Sequence, residues 1–180
     1  MQKISDATAL SALAKRMRRT AIEMITEAKS GHPGGSLSIA EILVTLYFDV
    51  LRHDPANPKW NDRDRFILSK GHCCPILYAV MAECGYCPKE TLNTLRKLGS
   101  KLQGHPDFHF TRGVDVCTGS LGNGVSVALG IALGARLQGK SFRVYAGSSD
   151  GECQEGQLWE MATAAAHHKA DNLTLLIDWN

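Results

Sequence analysis

Apolar positions recur at helical spacing from Ala7 through Leu10, Ala14, Met17 and Ala21 to Ile25, which predicts one packed face on a helix ending near Ala28. Ser5 or Asp6 can cap its start. Ser30-Gly31-His32-Pro33-Gly34-Gly35-Ser36 then stops the pattern and reads as a tight loop carrying an imidazole. A second helix is expected from Ile39 to Leu51, capped by Ser38, with Ile42, Leu43, Leu46 and Tyr47 apolar. The polar, proline-containing stretch from His53 to Arg65 reads as an ordered connector whose alternating charges pair locally. Arg65-Phe66-Ile67-Leu68 is a short strand, followed by Ser69-Lys70-Gly71-His72 and a helix over about Pro75 to Glu83. Another helix is expected from Pro88 to about Lys97. Glycine-rich Thr118–Gly124 opens an apolar helix from Val125 to Leu137.

The last part of the chain organises the rest. Phe142-Arg143-Val144-Tyr145-Ala146 is a strand broken by Gly147-Ser148-Ser149-Asp150-Gly151. Gln157 to His168 has helical spacing, and Leu173-Thr174-Leu175-Leu176-Ile177 is a second apolar strand. Strand, helix and strand in so few residues require a parallel pair joined by a crossover, hence an α/β fold. Ligands of such sheets bind beyond the carboxyl ends of the strands. Asp150 and Asn180 stand beyond two adjacent strand ends, 30 residues apart. One carboxylate and one amide oxygen there suit Mg²⁺ or Ca²⁺, with phosphate oxygens completing the shell. Gly151 lets a phosphate approach the backbone. An Asp-Gly pair after a strand can also be a turn and nothing more.

Charge and composition narrow the partners. The 180 residues, 44% of them hydrophobic, suffice for one domain with a core. A net charge of +2 gives no electrostatic case for nucleic acid. No apolar run reaches the ~20 residues of a membrane helix. The start, Met1-Gln2-Lys3-Ile4-Ser5-Asp6, lacks a signal-peptide core. The expected setting is therefore cytoplasmic, with Cys73, Cys74, Cys84, Cys87, Cys117 and Cys153 as thiols. Cys84-Gly85-Tyr86-Cys87 has no second pair to make a zinc site with. The sequence stops at Asn180, at a strand tip, and reads as a domain incomplete at its C-terminal end.

Three histidines, His32, His72 and His105, sit in glycine-bearing turns; His72 precedes a helix, where anions bind. His53, His109, His167 and His168 lack such a setting and read as surface or packing residues. Thr118–Gly124 is not the dinucleotide fingerprint, because no convincing strand precedes it. It still allows close approach of backbone to a ligand. The small-residue helix around Ala128, Gly130, Ala132 and Gly134 suits tight packing, on another element or on a second polypeptide. Together these features favour an α/β enzyme handling a phosphorylated ligand.

Five motifs, Ser30-Gly31-His32-Pro33-Gly34, Asp64 to His72, Gly104-His105-Pro106, Gly119 to Gly124, and Asp150-Gly151 with Asn180, fall in the order seen in transketolases. From about residue 5 to 180 the chain resembles the N-terminal subunit of split transketolases, in which two polypeptides make one enzyme. The resemblance implies a doubly wound, mostly parallel sheet of the thiamine-diphosphate-binding fold, this chain being the diphosphate-binding domain. It implies thiamine diphosphate and Mg²⁺ (or Ca²⁺ or Mn²⁺), with Asp150 and Asn180 as metal ligands. His72, Gly119, Ser120, Leu121, Asp150, Gly151 and Asn180 match cofactor contacts. His32 and His105 match histidines that face the sugar and shuttle protons. The implied reaction moves a two-carbon ketol unit from a ketose phosphate to an aldose. The partner it implies is a C-terminal, pyrimidine-binding subunit carrying the activating glutamate, in a dimer of heterodimers. Ser149 departs from the family, which usually has glycine there. Alternatives are a 1-deoxyxylulose-5-phosphate synthase, a transketolase for other donors such as apulose phosphate, or a non-catalytic remnant that only binds.

Overall fold

The computed structural model describes residues 3–179. Asn180, expected to be a metal ligand, lies outside the described residues. Helix α1 (Ala7–Ala28) starts where Asp6 accepts a hydrogen bond from the Ala9 amide at 2.7 Å. It ends at Lys29, in the left-handed region at φ 50°. Leu13, Ala14, Met17, Ala21 and Met24 form its buried face, and Lys15, Arg16 and Arg19 stay exposed.

The next segment departs from the expected loop and single helix. Pro33 starts a short helix, α2 (Pro33–Ser38), because its fixed φ suits a first helical turn. The chain kinks at Ile39 into α3 (Ala40–Thr45), which widens into a π turn over Leu46–Val50. Ser38 does not cap. Its hydroxyl bonds the Gly35 carbonyl at 3.1 Å and the Asp178 carboxylate.

Three parallel strands follow: β1 (Arg65–Leu68), β2 (Val144–Ser149) and β3 (Leu173–Asp178), in spatial order β1-β2-β3. Leu68 faces Gly147 and Ser149 faces Asp178, so β2 and β3 end together and β1 ends two residues short of them. The pleat sends alternate residues to opposite faces. Phe66, Leu68 and Tyr145 pack with α1, α3 and α4 (Cys74–Cys84), buried throughout except at Glu83. Ile67, Val144 and Ala146 pack with α5 (Asn123–Leu137) and α6 (Gly156–His167). Helices on both faces of a parallel sheet make this the doubly wound architecture.

Two further expectations need correction. Lys89–Thr94 forms 3-10 turns rather than a helix from Pro88 to Lys97. The connector's charges do not pair locally. Asp64 accepts from the Arg52 amide at 2.8 Å, Arg63 reaches Asp115, and Asp62 holds Lys140 at 2.9 Å. These pairs fasten the connector to distant segments. All six cysteines are free thiols, and Cys73, Cys74 and Cys84 are buried. No helix among the described residues is long and apolar enough to cross a membrane.

Candidate functional site

The turns after β1 and β2 and the glycine-rich loop before α5 meet above the strand ends. Their spacing is set by glycines and one buried carboxylate. A Cβ on Gly71 would lie 2.9 Å from the Gly119 amide, and one on Gly124 would lie 2.7 Å from the Ser69 Cα. Only glycine permits such approaches. Glu152, wholly buried, accepts from the Ser69 hydroxyl at 2.6 Å, the Gly122 amide at 2.8 Å and the Ser148 hydroxyl at 2.9 Å. The Ser149 amide adds a fourth bond at 3.1 Å. One side chain thus ties the β1 turn, the glycine loop and the end of β2 together.

The three singled-out histidines line this cleft. The His32 and His72 rings meet edge to face, with centroids 5.2 Å apart. Gly119, at φ 148°, lets the His105 ring sit against the glycine loop, since a Cβ there would be 3.0 Å from its Cδ2. The His105 carbonyl is fixed by the Tyr78 hydroxyl at 3.0 Å. Burial, with help from His32 and Lys70, pushes the His72 imidazole below its ordinary pKa. Burial, then Arg96 and His32, does the same to His105. Both rings are therefore poised to be neutral near pH 7, with a lone pair and an N–H each.

Asp150 follows β2, and its amide donates to the Asp178 carbonyl at 3.2 Å. Among the described residues no side chain or amide partners its half-exposed carboxylate. Ser149, the departure from the family pattern, needs no glycine conformation, because its φ is not positive. Its hydroxyl points to the Glu152 carboxylate at 3.4 Å. Gly151 is exposed, as are Ser120 and Leu121. Asn180 lies outside the described residues.

Sequence reading missed a second buried constellation. Lys70, 2% exposed, bonds the Asp178 carboxylate and approaches the Ser38 hydroxyl at 3.4 Å. It holds α2, the β1 turn and the end of β3 in register. No local signal marked it, because Lys70 stands in a polar turn and Asp178 is 108 positions on.

The donor set fits a diphosphate with a divalent cation. Thr118 Oγ1, between Gly71 and Gly119, is buried with no hydrogen-bond partner among the described residues. Beside Gly151 the space is open, with only the Ser149 hydroxyl within 4 Å of where a Cβ would stand, and the neighbouring Asp150 carboxylate has no partner among the described residues. An anion and a cation answer these needs together.

A doubly wound parallel sheet with an acidic strand end, a glycine cradle and converging imidazoles defines a domain that binds a phosphorylated cofactor. The chain belongs to the transketolase family: residues 9–180 match the family described as transketolase, thiamine diphosphate binding domain. It is 45% identical over 164 residues to a 6-deoxy-6-sulfo-D-fructose transketolase subunit of Clostridium sp. (strain MSTE9), covering 91% of this chain and 60% of that protein. It is 41% identical over 166 residues to an apulose-4-phosphate transketolase subunit of Phocaeicola vulgatus, covering 92% and 59%. The chain thus spans about three fifths of these two relatives. Among solved structures, the Campylobacter jejuni transketolase superposes with a TM-score of 0.92 at 37% identity, covering 97% of this chain and 29% of that one.

Proposed function

We propose that this chain is the diphosphate-gripping part of a two-subunit transketolase, active only with a C-terminal, pyrimidine-binding subunit. One observation carries this reading. His32 meets His72 edge to face, His105 sits against Gly119, and the Asp150 carboxylate after β2 has no partner among the described residues, in a chain of the transketolase family.

Asp150 and Asn180 would hold Mg²⁺, or Ca²⁺ or Mn²⁺ in its place. His72, with the Gly119–Leu121 backbone and Gly151, would hold the cofactor. Thiamine diphosphate, when bound, supplies the nucleophilic carbon and electron sink that ketol transfer needs. This chain's residues orient the sugar and move its protons. His32 and His105 lie at the exposed mouth, where an imidazole can accept a hydroxyl proton at one nitrogen and donate from the other. Buried Lys70 and Glu152 fix the turns these groups stand on.

The two relatives are named for transfer from a sulfo-sugar and from apulose 4-phosphate, which supports a ketose donor with an anionic end. The stripe of exposed Val127 and Gly130 and half-buried Gly134 on α5 is open to a second copy, as a dimer of heterodimers requires.

The test is ketol transfer by the full-length protein and its C-terminal subunit, alone and mixed, with a panel of ketose phosphates. Transfer by the mixture alone, lost in His32→Ala and His105→Ala, is expected. A cofactor-loaded complex that transfers from no ketose phosphate would contradict the reading.

A further inference from the structure

Just outside the cleft, Asp107, His109 and Cys117 bring three different ligand atoms together. His109 Nδ1 is 2.9 Å from Asp107 Oδ1, Cys117 Sγ is 3.3 Å from the same oxygen, and the sulfur and nitrogen are 4.0 Å apart. All three lie within 4.8 Å of one another. A tetrahedral zinc with bonds of about 2.0–2.3 Å has ligand atoms roughly 3.3–3.8 Å apart, so small side-chain adjustments suffice.

The frame is already set. The His109 amide donates to Asp107 Oδ1 at 2.8 Å, and its ring stacks on Phe108 with centroids 3.9 Å apart. Cys117 comes from the far side of the loop, where the Thr118 amide bonds the Pro106 carbonyl at 3.3 Å. Cys117 and His109 are exposed and Asp107 half-buried, so an ion can enter and a water can fill a fourth position.

We propose that Asp107, His109 and Cys117 form a binding site for a borderline-soft divalent transition metal of the zinc type. Thiolate, imidazole and carboxylate select such an ion and disfavour Mg²⁺. On binding, the Cys117 thiol releases its proton to solvent, and His109 gives up its hydrogen bond to Asp107 so that Nδ1 offers a lone pair. The ion would clasp the turn two residues after His105 to the turn two residues before Gly119. The inference does not depend on the proposed reaction.

The experiment is a Co²⁺ titration of the full-length protein with its partner subunit, followed by absorption, then displacement by Zn²⁺. One equivalent giving a thiolate-to-cobalt charge-transfer band and strong tetrahedral visible bands is expected. Zn²⁺ should bleach both, and a large excess of Mg²⁺ should not. Cys117→Ser should abolish the charge-transfer band, and His109→Ala should weaken binding about tenfold or more. Asp150→Ala should leave the spectrum unchanged, which separates this site from the cofactor's. Circular dichroism verifies that each variant is folded. No charge-transfer band, or one surviving Cys117→Ser, overturns the proposal. Weak octahedral bands alone would do so too, placing the ion away from Cys117.

Discussion

Without the Glu152 carboxylate, the hydroxyls of Ser69 and Ser148 and the Gly122 amide lose their acceptor in a site closed to water. Glu152→Ala should cost about 3 kcal/mol of stability, since buried unsatisfied donors are expensive. Glu152→Gln keeps one oxygen and should recover part of it. Thermal melts of the full-length protein measure both. Lys70→Met removes the cation beside Asp178 and leaves a buried carboxylate alone, which should cost about 3–5 kcal/mol. A denaturant midpoint equal to wild type would show that the pair does not brace the β1 turn. The histidines give a pH signature. His72, His105 and the half-buried His53 are all depressed by desolvation. A depressed folded-state pKa contributes stability that is present above the unfolded value of about 6.5 and lost as pH falls through the folded values. The melting temperature should therefore drop on acidification below about pH 6.5, and the His72 and His105 ring resonances should titrate below that pH. At this scale the sequence displayed the singular residues, not the paired ones. Glycine and proline flag His32, His72 and His105, because turns need those neighbours. Glu152 and Lys70 carried no local mark, since their partners lie up to 108 residues away. His109 is a surface residue, as expected, with Cys117 eight positions on.

The elements were legible where hydrophobic period decides them. β1, β2 and β3, α1, α4, α5 and α6 fall close to the expected positions, because each buries a regular apolar face or run. The miss lies at residues 33–50, where Pro33 starts a helix the glycines were expected to forbid, and Ile39 breaks the next one. Tertiary contacts settle that segment. A Cβ on Gly35 would collide with the Cys73 sulfur, so α2 sits directly on the turn that follows β1. The same closeness makes a prediction for α5. Gly124→Ala would press a methyl group against the Ser69 backbone and should destabilise the protein by about 1–3 kcal/mol. Gly130→Ala, on the same helix with nothing within 4 Å, should leave the folded chain's stability unharmed. Differential scanning calorimetry of the two variants separates packing from helix propensity.

For the whole molecule, the described chain supplies one wall of a site. It offers a cradle, a strand-end carboxylate and imidazoles, and no buried glutamate faces the cleft except Glu152, whose oxygens are spent on the surrounding loops. Under the proposed function, the base that activates the thiamine ring would come from the C-terminal subunit. The most direct test is titration calorimetry of thiamine diphosphate into the full-length protein and its C-terminal subunit, with and without Mg²⁺, beside Asp150→Ala. The account predicts saturable binding that requires Mg²⁺ and disappears in the variant. A folded complex that binds no thiamine diphosphate, or binds it equally well without Asp150, would contradict it.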